Sequence, residues 1–293
     1  MPAVFVLIWS TGFIVAKYGL PYAPPLTFLA IRYFLSIACF LIWIALARAS
    51  WPREGRQWLH LAVTGVLMQA GYLGGVWVAV KAGMGSGLTA LIVGLQPVLT
   101  ALWVSWAASG DAAQPASKVT SRQWMGLALG LGGLLLVVSH KLGGGHEVTG
   151  LTLAATLFAL FCITTGTLYQ KRFVKTADVR SAGAVQMGAA LLVTLPLVFF
   201  ETGAIVWTPQ FVGAMAWSVL VLTLGGSSLL YLLIQRGAAM SVTSLLYLVP
   251  PTTALMAWLL FDEAITLTTV VGTALTALGV SFVVRSAKPP VAP

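Results

Sequence analysis

Acidic residues are missing from every long apolar stretch of this chain. Its seven Asp and Glu, at positions 54, 111, 147, 178, 201, 262 and 263, all fall in short polar connections. Charged residues make up only 8% of the 293 positions, against about 25% in a soluble domain, which excludes an ordinary globular protein. Cysteine is nearly absent too. Cys39 and Cys162 lie inside apolar runs, where a thiol behaves as a small hydrophobe, so neither a disulfide framework nor a thiolate metal site is expected. The three histidines, His60, His140 and His146, sit at the ends of apolar runs or beside Gly143–Gly145, where solvated imidazole is the expectation. No H-E-x-x-H pair and no G-x-S-x-G elbow occurs, which argues against a membrane-embedded enzyme; no catalytic residue, cofactor or metal is expected. A channel would want a ring of charge or a polar repeat across several spans, and neither is visible. The start, MPAVFVLIWS, lacks the basic region and small-residue cleavage site of a signal peptide and reads as a first span.

What is present is hydrophobicity, 59% of the chain, in runs close to the ~20 residues that cross a bilayer as helix. Ten spans are predicted, at about 2–19, 25–48, 58–80, 86–107, 123–140, 149–171, 181–200, 211–235, 240–261 and 267–285. The fold class is therefore all-α integral membrane, and the lipid bilayer is the first partner. The net charge of +9 does not point to nucleic acid, because the basic residues lie in short loops and report orientation instead. With the N-terminus inside, the cytoplasmic loops hold Arg48, Arg53, Arg56, Lys118, Arg122, Lys171, Arg172, Lys175, Arg180, Arg236, Arg285 and Lys288. The outer side holds only Lys17, Lys81 and Lys141. That asymmetry predicts a multi-pass membrane protein with both termini cytoplasmic.

The two halves match at an offset near 154. Thr11-Gly12 and Lys17 meet Thr165-Gly166 and Lys171; Arg32 meets Gln186; Trp77, Lys81 and Gly83 meet Tyr231, Gln235 and Gly237. After a shorter loop, Gly126, Ala128, Leu129 and Gly133 meet Gly272, Ala274, Leu275 and Gly279. An odd number of spans in the first half starts the second on the opposite side. The prediction is five plus five transmembrane helices in an inverted-topology repeat, with repeats at residues 1–145 and 146–293. Gly71-x3-Gly75, Gly83-x3-Gly87 and Gly126-x3-Gly130 suit close packing between helices of one chain, and a monomer is expected.

Two apolar stretches carry proline where a helix should run on. Leu245–Glu263 contains Pro250 and Pro251, and Leu91–Asp111 contains Pro97 beside Gln96; each continues with Thr-Ala-Leu and ends in an acidic residue. Proline removes an N–H and frees a carbonyl one turn back, tolerated in lipid only against protein or a wet cavity. Broken helices in corresponding places of two halves point to a transporter's substrate site. Pro97, Pro250 and Pro251 are the expected hinges.

Arg32 is the one basic residue set within a span, where charge defaults to function. It is a candidate to attract a substrate carboxylate, although its side chain is long enough to snorkel or to fix helix packing. Gln69, Gln96 and Gln186 supply uncharged polarity, and Trp9, Tyr72, Trp77, Tyr231 and Tyr247 supply rings with a polar tip that can line a route for amphipathic solutes. Trp51, Trp58, Trp124, Trp207 and Tyr22 fall at span ends and are assigned to the interfacial belt.

Trp9 with Lys17, Arg32, and the two proline segments ending in Gly110-Asp111 and Asp262-Glu263 together resemble the drug/metabolite transporter superfamily, in particular its EamA-type ten-span exporters. Within it the chain is similar to the YddG-type aromatic amino acid exporters, departing from the common pattern at Ser10-Thr11 and Gly110-Asp111. The resemblance implies an exporter of small amphipathic metabolites, amino acids with aromatic or other bulky side chains first, working by alternating access. The alternative substrate class is drug-like cations. With no carboxylate in a span to relay protons, movement down a gradient is favoured over proton coupling.

Overall fold

A computed structural model describes residues 2–100, 103, 121–142, 148–174, 177–226, 229 and 248–286. All regular structure among them is helical. The helices are α1 (Pro2–Gly19), α2 (Pro25–Ala47), α3 (Gly55–Lys81), α4 (Ser86–Thr100), α5 (Ser121–Leu142), α6 (Gly150–Phe173), α7 (Val179–Val198), α8 (Pro209–Gly225), α9 (Val249–Phe261) and α10 (Leu267–Ser286). Five described helices, α2, α3, α5, α6 and α7, are long and apolar enough to cross a membrane; the others are apolar and shorter over their described lengths.

Their ends follow from local chemistry. Thr149 and Thr152 form a reciprocal capping box at α6, Asp178 accepts from the Arg180 amide at α7, and Thr208 precedes Pro209 at the start of α8, each supplying an acceptor for amides without an intrahelical partner. At α2 the cap comes from far along the chain. Both carboxylate oxygens of Glu201 accept from the amides of Leu26 and Thr27 at 2.8 Å.

Packing depends on close backbone approach. On α5 and α10, a Cβ added to Gly133 would overlap the Gly272 carbonyl, and one on Gly279 would overlap that of Gly126. The two contacts are reciprocal and antiparallel. Gly71 and Gly75 of α3 lie against Cys162 and Ala155–Ala159 of α6, as the small-residue spacing predicts. Gly83 differs: it sits in the turn after α3 with φ of 105°, where its lack of a Cβ serves the backbone rather than helix contact.

Two helices are wound unevenly. Val66–Gly71 within α3 and Trp217–Gly225 within α8 are π-helical. The first segment, moved by the offset of 154, falls inside the second.

The first proline segment also breaks. After Val93 the chain turns through Gly94 and Leu95 before Gln96 and Pro97 begin a further helical turn, and α9 starts at Val249 with Pro250 and Pro251 in its first turn. Proline is tolerated there, because those amides have no intrahelical partner. Pro97 stands in the first turn after the Gly94–Leu95 turn, and Pro250 and Pro251 stand in the first turn of α9; Leu246 and Tyr247 lie outside the described residues. The segments meet where Gly94 packs on Pro250 and Gly87 on Ala254, running antiparallel.

Candidate functional site

A cavity of about 110 Å³ opens between helices of both halves. Trp9, Gly12 and Phe13 of α1, Arg32 of α2, and Met68, Gln69, Tyr72, Leu73, Val76 and Trp77 of α3 line it from the first half. Ile163 of α6, Met187 of α7, and Leu222 and Thr223 of α8 line it from the second.

Arg32 is 6% exposed and reaches α8 rather than a helix end. Its Nε and Nη2 donate to the Thr223 hydroxyl at 3.3 and 3.2 Å, and that hydroxyl donates to the Ser218 carbonyl at 2.9 Å. The snorkelling alternative is therefore not what the side chain does. One hydroxyl acceptor does not saturate five guanidinium N–H groups.

The neighbouring residue of α2 serves the other half. Tyr33 is fully buried and donates its hydroxyl to the Gln69 carbonyl at 2.7 Å. Both wall segments reached by α2 are the π-helical ones. The wider π turn is rare and recurs mostly at functional sites. Trp77 is held by stacking on Phe28, with ring centroids 4.3 Å apart at 30°, and Phe28 meets Phe211 edge-on. Such pairs fix ring orientation.

Of the residues expected at a substrate site, Trp9, Arg32, Gln69, Tyr72 and Trp77 are brought together on this wall. Gln96 is not; its amide donates to Thr167 of α6 at 2.9 Å, tying the broken part of α4 to that helix. Gln186 is half-buried, and its backbone packs on Gly65. Tyr231 and Tyr247 lie outside the described residues. Thr223 was missed, because a lone Thr in an apolar run carries no distinguishing pattern. Its one signal was position, 154 residues from Gln69. His60 also departs from expectation: its Nδ1 lies 2.8 Å from the Tyr169 hydroxyl and its ring stacks on Phe173, so it belongs to an aromatic cluster.

A second polar cluster joins α1, α4 and α9 at one end of the bundle. Lys17 Nζ lies 2.7 Å from Glu263 Oε1, which also accepts from the Ser86 amide at 3.0 Å, while Gly87 donates to Oε2 at 3.4 Å. Partial burial pushes the Glu263 carboxyl up, but the hydrogen bond from Lys17, those from the α4 amides and the lysine charge outweigh it and hold the group below its usual range. Nearby, Lys81 Nζ donates to the Leu20 carbonyl.

The model of the EamA-like transporter family matches this sequence twice, over residues 3–139 and 149–285. The chain belongs to that family. Multi-pass membrane residence and a transporter role follow from the membership together with the apolar helices. An uncharacterized transporter, YvbV of Bacillus subtilis, is 27% identical over 289 residues, 98% of this chain and 91% of its own length. A probable amino-acid metabolite efflux pump of Salmonella typhimurium is 26% identical over 194 residues, 66% of this chain and 60% of its own length. The inner membrane transporter YedA of Escherichia coli K12 is 27% identical over 224 residues, 75% and 68% of the two chains. A solved crystal structure shares the fold with a TM-score of 0.65 at 16% identity, covering 98% of this chain and 96% of its own.

Proposed function

We propose that this protein exports small amphipathic metabolites bearing a carboxylate, amino acids with aromatic or other bulky side chains among them, as in YddG-type exporters. The observation that carries the proposal is Arg32: a buried cation on an aromatic-walled cavity, with a neutral hydroxyl as its recorded partner. Burying an unpaired charge is costly, and a substrate carboxylate placed there would relieve that cost with charge-assisted hydrogen bonds. Among the relatives, the efflux pump named for amino-acid metabolites is in keeping with this reading. Drug-like cations are the weaker alternative, since the cavity wall is itself cationic.

The mechanism is alternating access in ten spans arranged as an inverted five-plus-five repeat, residues 1–145 and 146–293, in the bacterial inner membrane with both termini cytoplasmic. The reciprocal antiparallel glycine contacts of α5 and α10 and the π-helical segments at the repeat offset support that arrangement. A cavity of about 110 Å³ compares with roughly 150 Å³ for one that admits benzene. On that volume, a bulky substrate requires the halves to separate.

The test is uptake into proteoliposomes of radiolabelled phenylalanine, tryptophan, methionine and threonine, with drug cations as the counter-screen. Saturable flux above protein-free vesicles, lost in Arg32→Gln, is expected. Movement of the cations alone would overturn the proposal.

A further inference from the structure

Among the described residues, the cavity wall carries one positive charge and no negative one. No Asp or Glu lies in any apolar span of the sequence. The five acids among the described residues stand at helix ends: Glu54 holds the N-cap position of α3, Asp178 caps α7, Glu201 caps α2, and Asp262 and Glu263 close α9. Asp178 is engaged with Arg180, Glu201 with the α2 amides and Glu263 with Lys17. The undescribed stretch 230–247 holds Arg236 and no acid.

Two polar groups of the lining residues, the Arg32 guanidinium and the Trp9 indole, can only donate, and the Tyr72 and Thr223 hydroxyls and the Gln69 amide can donate as well as accept. Donors suit a carboxylate. An ammonium group on the same substrate would bring three more donors and a like charge within a few ångströms of the guanidinium, where a low dielectric strengthens the repulsion. The aromatic faces give a cation only partial compensation.

We infer that the cavity selects net-anionic carboxylates, 2-oxo acids and aryl- or alkyl-substituted acids without an ammonium group, over the corresponding zwitterionic amino acids. This rests on the reading of Arg32 as the carboxylate anchor and narrows it. The export substrates are then the products of reactions that remove or mask the amino group of bulky amino acids.

Four ligands that share one phenyl ring and differ in charge test it: phenylpyruvate, 3-phenylpropionate, phenylalanine and phenethylamine. Tryptophan fluorescence of the purified full-length protein, with thermal shift alongside, reports their binding without interference from leakage across a bilayer. The two anions are expected to bind at concentrations about tenfold below phenylalanine, and phenethylamine not at all. Phenylalanine binding as tightly as phenylpyruvate, with both weakened in Arg32→Gln, would overturn the inference and leave the carboxylate reading standing. Phenethylamine binding tightest would remove both. Arg32→Lys keeps the charge and should keep the order of preference, and the wild-type series decides the matter even if Arg32→Gln does not fold.

Discussion

Gln69 and Thr223 stand 154 positions apart in matching π-helical segments, and consecutive residues of α2 bond to them, Tyr33 to the Gln69 carbonyl and Arg32 to the Thr223 hydroxyl. One helix thus couples the two walls of the cavity, and both couplings fall where the winding is widest.

Thr223→Val keeps the shape of the side chain and removes the acceptor. Arg32 would then lack its recorded side-chain partner, and a loss of about 1–3 kcal/mol in stability is expected. Thr223→Ser restores the hydroxyl and should recover most of it. Denaturation of the two variants in the same detergent distinguishes the bond from packing; equal stability of Val and wild type would mean that Arg32 is held by something else.

The glycine contacts of α5 and α10 allow a matched pair. Gly133 abuts the Gly272 carbonyl, whereas nothing lies within 4 Å of a Cβ built on Gly132. Gly132→Ala should be neutral or stabilising by up to about 1 kcal/mol through helix propensity. Gly133→Ala forces two backbones apart and should destabilise by about 1–3 kcal/mol. Thermal melts of both variants check the difference in sign.

The architecture was legible because lipid imposes strong rules. Apolar runs of spanning length needed no knowledge of side-chain geometry, and most described helices begin within a few residues of the predicted positions. The site was legible where chemistry was unusual for its setting: Arg32 stood out as a charge in hydrocarbon, and Trp9, Tyr72 and Trp77 as large polar-tipped rings in implicated spans. Thr223 did not, since its importance comes from what reaches it. The π-helical turns were equally hidden, because a single widened turn hardly disturbs a hydrophobic periodicity. Gln96 suggested substrate contact by its polarity beside a proline break, and in the structure its amide fastens α4 to Thr167.

Glu263 makes one end of the bundle sensitive to acid. Its carboxyl is held below the usual range when folded, so the unfolded chain binds the proton more readily. The stability it contributes is fully present at neutral pH, above the unfolded value, and is lost as pH falls through the folded one. Melting temperatures followed from about pH 6 down to about pH 2 should therefore fall more steeply for wild type than for Glu263→Gln, the two curves converging at the acid end. Parallel curves would show that the pairing with Lys17 contributes no pH dependence.

The proline segments remain the place where α4 and α9 meet, but they act as helix starts. Pro250 fills the space beside Gly94, and its ring presets the backbone of the first turn of α9. Replacing Pro250 and Pro251 with alanine restores two N–H groups and lets the helix extend backwards, straightening a segment that movement between the halves would use as a hinge. The double variant should insert and melt like the wild type while its flux falls several-fold. Pro97→Ala, which changes one position in a shorter turn, should show a smaller effect. Flux at the wild-type rate in the double variant, with normal amounts in the membrane, would take these prolines out of the transport cycle and leave the π-helical segments as the flexible elements next to the cavity.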